Sequence, residues 1–343
     1  MFCLAVLCTP WTAHSADNPA ELRVAVLFTE DPLFFINTFA PTLDHLRKAL
    51  PQYKIVTKEI SGHEAPEDIK KEHFSFLISS AGFYASFDPS SAGLRQIATR
   101  HDARAKTASE SIGSTIIALT DRNDLNRMED LRKKRLVTRD IDSLSGWLGA
   151  KGKLADHISA KEDQPHLFST KYSYPDVYSY LFSGEADAAV IPTCELENLS
   201  NGHLFKVIDE EKTSPSCKSS SPLYPDFVFS SFPDASPEVV KNFTVSLLTM
   251  PKMPDGASWG IANDFRSVLQ LFKKLELGPY QPEPFSVGAF IEKYKTEVFL
   301  ALALLLGVLF HIYRSNSLVF QRTAELREAI DQRDRVAEVA RNS

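Results

Sequence analysis

Two rhythms of apolar residues run through most of the chain. Short alternating or continuous runs predict strands at Glu21–Phe28, Tyr53–Ile60, Phe74–Ile78, Ser114–Leu119, Arg135–Thr138, Ala188–Ile191, Phe205–Ile208 and Asp226–Phe232. Apolar residues at helical spacing predict helices over Pro32–Leu50, Glu67–Glu72, Met128–Lys133, Pro175–Phe182, Pro237–Thr249 and Trp259–Leu275. A further helix leads from Asp142 through Leu154, and Glu195–Leu199 reads as a short helix or a turn. Strands alternating with helices are the pattern of an α/β fold with a largely parallel sheet. Ligands of such sheets sit outside the carboxyl ends of the strands. That places Thr29, Glu30, Ser79, Ser80 and Tyr84 at the binding edge of a first lobe, and Ser114–Leu119 starts a second.

A different pattern begins at Val298. From there to Tyr313 the chain carries no formal charge. A membrane helix needs about 20 apolar residues, with a working range down to about 17. Tyr294 and Tyr313 suit the two interfaces, and the stems of Lys293 and Lys295 can snorkel. No polar stripe interrupts the run to give it a solvent face, so a crossing over 297–314 is expected rather than a core helix. His311 lies within a turn of the boundary and reads as an interfacial anchor. The remainder, 315–343, lacks Gly and Pro and carries a heptad-like series through Val319, Thr323, Leu326, Ile330, Arg333, Ala337 and Ala340. Two of those positions are polar, so a coiled coil there needs a partner or a longer continuation, and a homodimer is expected.

The first residues, Met1 to Cys8, are apolar, and Ala13–Ala16 supplies small residues suited to signal peptidase. A signal peptide over 1–16 is expected. It has no Lys or Arg ahead of its apolar run, which suggests a start further upstream. Arg314, Arg322 and Arg327 follow the crossing and place the tail in the cytoplasm. The expected location is the inner membrane, with a single pass and the large N-terminal part in the periplasm.

Composition narrows the function by exclusion. A net charge of −6 over 343 residues leaves no electrostatic footprint for nucleic acid. The histidines have no metal-ligand spacing, so no metal and no cofactor are expected. Glu195/Glu197 and Glu210/Glu211 read as solvated loop charges, and no nucleophile–base constellation appears, so no catalysis is expected. Once a signal is removed, Cys194 and Cys217 remain, in a compartment where disulfides persist. Ser143, Ser145 and Ser173 precede helices and are first of all capping residues, although helix N-termini also present donors to anions.

Several stretches together resemble a known family. Met128–Gly146 is similar to the second-lobe opening of phosphonate-type periplasmic binding proteins, and Ser173–Val190, with its Gly184-Glu-Ala-Asp-Ala-Ala-Val run, to the segment that follows. Pro192-Thr-Cys194, Cys217–Pro225, Trp259…Leu277-Gly-Pro-Tyr280 and the Arg322-Thr-Ala-Glu-Leu-Arg-Glu-Ala-Ile series resemble the sensor region of tetrathionate-sensor-type histidine kinases. The resemblance covers about residues 20–340. It implies a two-lobed, type II periplasmic binding fold over 17–290, with lobe 1 at about 17–112 and 209–290 and lobe 2 at about 113–208. One transmembrane helix and a truncated signalling helix would follow. It implies an anion site at Ser79, Ser80, Tyr84, Ser143, Ser145, Gly146 and Ser173. Cys194 and Cys217 become either a structural disulfide or a redox-active pair reporting on a sulfur oxyanion through thiol–disulfide exchange. The chain departs from the pattern at Pro192 and Tyr174, where relatives carry a basic residue and a histidine, and at Ser79–Gly82. The implied function is sensing of a small oxyanion, tetrathionate foremost, with signalling to a kinase module beyond this chain and its response regulator. The alternative is a membrane-tethered component of a phosphate or phosphonate transporter.

Overall fold

The computed structural model describes residues 20–28, 35–87, 92–170, 173–211, 216–282 and 287–341. The expected signal peptide, Thr29 and Glu30 lie outside the described residues. Two compact units divide at Gln281/Pro282.

The first unit holds two sheets. Its strands are β1 (Ala20–Leu27), β2 (Tyr53–Ile60), β3 (Phe76–Ser80), β4 (Arg95–His101), β5 (Ser114–Leu119), β6 (Arg135–Thr138), β7 (His166–Ser169), β8 (Ala188–Pro192), β9 (Phe205–Val207), β10 (Phe227–Ser231) and β11 (Ser258–Ile261). Its main helices are α1 (Ala40–Ala49), α2 (Pro66–Lys71), α3 (Ala81–Ser86), α4 (Gly149–His157), α5 (Tyr174–Phe182), α6 (Glu195–Asn198), α7 (Pro237–Leu248) and α8 (Arg266–Lys274). The first sheet runs β11-β4-β10-β3-β1-β2 and the second β7-β6-β8-β5-β9. β1, β2 and β3 are mutually parallel, while β10 is antiparallel to both β3 and β4. In the second sheet β6 is parallel to β7 and β8, and β5 is antiparallel to β8 and β9.

The chain therefore leaves lobe 1 after β4, builds lobe 2, and returns at β10. The two crossing segments meet as a short antiparallel bridge. Ser111 N and Ile112 N both donate to Tyr224 O, at 3.0 and 2.9 Å, and Tyr224 N donates to Ile112 O at 2.7 Å. Paired crossings of this kind form a two-strand hinge.

Aromatic side chains fill lobe 1. Phe76 stacks on Phe243 with ring centroids 4.0 Å apart and meets Phe229 edge-on at 5.7 Å. Lobe 2 closes over Ile117, Val137, Val177, Leu181, Ile191 and Phe205. Asp187 turns the chain into β8. Its carboxylate accepts from Arg135 N at 2.9 Å, Arg135 Nε at 3.1 Å and Arg122 Nη1 at 3.1 Å. Burial works against the charge, yet these donors outweigh it and hold the carboxyl at about 2.

Two expectations shift. Residues 259–261, expected to open the helix Trp259–Leu275, instead belong with Ser258 to edge strand β11 on β4. There Trp259 packs against Phe229 and donates from Nε1 to Thr42 Oγ1 at 2.9 Å. The third strand runs two residues later than its apolar core suggests, because β10 pairs through Ser79 and Ser80.

The second unit contains α9 (Val287–Lys293) and α10 (Lys295–Arg341). The crossing expected at 297–314 and the segment after it lie in one helix of 47 residues, roughly 70 Å long. No proline or helix-ending glycine interrupts it. By length and composition it can cross a membrane. Leu300, Leu302, Leu304, Leu305, Leu306 and Phe310 are all exposed along it, which is costly in water and favourable in lipid.

Candidate functional site

The carboxyl end of β3 passes straight into α3, and the carboxyl end of β6 passes into the turn Leu144–Leu148 that leads into α4. These two junctions belong to different lobes, and they meet. A methyl group on Gly82 would stand 3.2 Å from Leu144 Cβ. Glycine allows this approach because any side chain there would push the lobes apart. At the mouth, His63 Nδ1 of lobe 1 lies 3.2 Å from Asp142 Oδ2 of lobe 2.

On the lobe 1 side, Ser80 caps α3 by accepting from Phe83 N at 3.1 Å. Ser79 is fully buried, and its hydroxyl has no hydrogen-bond partner among the described residues. Tyr84 is a core residue. Its ring meets Phe265 edge-on, and its hydroxyl donates to Leu94 O at 3.4 Å. It supports the junction from behind rather than lining a cleft.

On the lobe 2 side, Ser143 Oγ accepts from Gly146 N at 3.0 Å, the capping role expected of it. Gly146 O accepts from Thr138 Oγ1 at 2.7 Å, which fixes the turn to β6. A Cβ on Gly146 would fall 2.9 Å from Ser143 Cβ and 3.2 Å from Asp140 O, so the turn requires glycine. Ser145 is buried within the same turn. Ser173 is exposed at the start of α5, where its hydroxyl and amide both donate to Asp176 Oδ2, at 2.9 and 3.1 Å. The junctions at Ser79–Gly82 and Ser143–Gly146 thus come together, while Tyr84 is withdrawn into the core and Ser173 is committed to its own helix.

Two charged residues at these edges escape sequence reasoning. Arg100, near the end of β4, is buried and forms ion pairs with Asp226 and Asp255. Burial opposes its charge, but the attraction of Asp226 and Asp255 outweighs that and holds the guanidinium above its usual pKa. Arg139 follows the last residue of β6 and lies over the ring of Tyr174, with Cζ 4.8 Å from the centroid. A lone arginine after a strand carries no local signal, so only the tertiary structure reveals either role.

Cys194 and Cys217 are joined as a disulfide with Cα atoms 4.9 Å apart. It ties the turn after β8 to the segment returning toward the hinge. There Ser219, Ser220 and Ser221, all fully buried, bond to the edge of β5. Ser220 N donates to Ser114 O at 2.9 Å, and Ser220 Oγ accepts from Ile116 N at 2.9 Å. No group of His, Cys, Asp and Glu among the described residues could hold a metal. A cavity of about 450 Å³ lined by Ile36, His45, Lys48 and Met253 lies on α1, away from the junctions.

Comparison with known proteins places this geometry. Residues 24–266 match the family described as the periplasmic substrate-binding protein of phosphonate ABC transporters. The tetrathionate sensor histidine kinase TtrS of Salmonella typhimurium is 26% identical over 247 residues, which is 70% of this chain and 41% of that protein. The chain thus spans less than half the length of that relative. Solved structures share the fold, two of them phosphonate binders by description. PhnD1 of Prochlorococcus marinus in complex with methylphosphonate has a TM-score of 0.57 at 14% identity, covering 76% of this chain and 99% of that one. A binding protein component of an ABC phosphonate transporter from Pseudomonas aeruginosa gives 0.53 at 13%, covering 84% and 98%.

Proposed function

The chain belongs to the phosphonate periplasmic substrate-binding protein family, and from that premise we propose that it is the sensing portion of a membrane receptor for a small oxyanion, with tetrathionate the first candidate. The observation that carries this is the helix after the binding unit. Solute capture for a transporter requires only a soluble or lipid-anchored protein, whereas this chain continues for 47 helical residues through an apolar stretch into a charged one. The similarity to a tetrathionate sensor kinase over 70% of the chain supports the same role.

In this account the two serine-bearing junctions close over the anion, with the hinge at Ile112 and Tyr224 setting the axis. Closure is a two-state element of such folds, and a ligand shifts it only by its differential affinity for the closed form. A homodimer in the inner membrane, with the binding unit periplasmic, passes that shift to a kinase module and its response regulator. The binding unit itself is non-catalytic.

The test is thermal unfolding of the detergent-solubilised chain against tetrathionate, thiosulfate, sulfite, phosphate and methylphosphonate. An anion at a hundredfold over its dissociation constant adds roughly 2.7 kcal/mol. Stabilisation selective for tetrathionate is the expected result. Stabilisation by phosphate or methylphosphonate alone would move the function to a tethered transporter component, the reading the family description favours.

A further inference from the structure

Two arginines stand at the carboxyl edges of the two sheets, and the fold treats them differently. Arg100 is neutralised by Asp226 and Asp255. Among the described residues Arg139 forms no ion pair, and its buried Nε has no hydrogen-bond partner. The carboxylates near it are engaged elsewhere. Asp140 Oδ1 accepts from Asp142 N at 2.8 Å, Asp142 Oδ2 faces His63 at 3.2 Å, and Asp176 Oδ2 takes Ser173. Arg139 as a whole is half-buried, but leaving its enclosed Nε–H unmatched is unfavourable, so the position invites an acceptor from outside the protein.

The position is also rigid. Arg139 O accepts from Ser169 Oγ, and the neighbouring Thr138 is fixed to both Gly146 and Thr170. The Tyr174 ring lies against the guanidinium, its centroid 4.8 Å from Cζ. A guanidinium presents Nε and a terminal nitrogen as a fork along one edge, the geometry that meets two oxygens of one tetrahedral group. Arg139 lies against Tyr174 at the start of α5, and the next residue, Asp140, packs its carbonyl against the Ser143–Gly146 turn.

We propose that Arg139, oriented by Tyr174, is the anion anchor of lobe 2 and binds the sulfonate or phosphonate terminus of the ligand through two hydrogen bonds. The proposal rests on the oxyanion reading above and adds the source of charge, since the serines offer only neutral donors.

The test is calorimetric titration of the full chain in detergent with tetrathionate and with methylphosphonate, for the wild type, Arg139→Gln, Arg139→Lys and Tyr174→Leu. Whichever anion binds the wild type should bind Arg139→Gln roughly 10- to 100-fold more weakly. Arg139→Lys, which keeps the charge but not the fork, should fall between the two. Affinity should depend less steeply on salt in Arg139→Gln than in the wild type. Melting without ligand reports on folding. If Arg139→Gln does not fold, a loss in both Arg139→Lys and Tyr174→Leu supports the anchor, and wild-type affinity in both overturns it. Binding by a folded Arg139→Gln within threefold of the wild type overturns the anchor and leaves the oxyanion reading intact. A wild type that binds neither anion removes both.

Discussion

Asp226→Ala should destabilise the binding unit by about 3–5 kcal/mol, because it leaves the Arg100 guanidinium buried without its most enclosed partner. Arg100 and Asp226 side chains are 4% and 5% exposed, so water cannot replace the lost carboxylate. Asp255 remains beside Arg100 but is itself 27% exposed, so it offsets the loss only in part. The consequence reaches the candidate site, since Asp226 O accepts from Ala81 N at 3.1 Å and holds the start of α3. Urea unfolding measures the loss. Arg100→Met combined with Asp226→Leu should lose less than Asp226→Ala alone, because replacing a buried pair by apolar groups is often close to neutral. A single variant within 1 kcal/mol of the wild type would mean that the pair is not the brace described here.

Removing the disulfide is the second large effect. The cysteines are 23 positions apart, and closing such a loop stabilises a fold by roughly 3 kcal/mol on the chain-entropy account. Cys194→Ser with Cys217→Ser should lower the melting temperature on the order of 6–12 °C. Both cysteines are more than nine-tenths buried, which restricts attack by an external thiolate or by a sulfur oxyanion. The double variant should therefore keep its anion affinity within threefold while melting earlier. An affinity that collapses in the double variant, or changes on reduction without unfolding, would assign the pair a redox role instead.

Much of the fold was legible because its strands announce themselves locally. Tyr53–Ile60, Ser114–Leu119 and Arg135–Thr138 match their expected bounds, each an apolar or β-branched run between clear breaks. β4 was not legible. Its sequence, Arg-Gln-Ile-Ala-Thr-Arg-His, places a buried arginine in a strand whose justification lies at Asp226 and Asp255, more than a hundred residues away. β11 was missed for a related reason, since four residues ahead of a strong helix take their conformation from pairing with β4. At the site, the serine turns and Gly146 are visible as caps. That Arg139 Nε has no partner among the described residues is a tertiary fact, so the charged group proposed for the site could emerge only from the packed chain.

The most direct test of the account is the distance between the lobes. Nitroxide labels at Glu59 of lobe 1 and Glu185 of lobe 2, both exposed, report the hinge by pulsed electron paramagnetic resonance in the detergent-solubilised chain. Saturating tetrathionate should shorten and narrow the distance distribution, and the change should titrate with calorimetric binding. A distribution unchanged while calorimetry shows the anion bound would contradict closure as the signal.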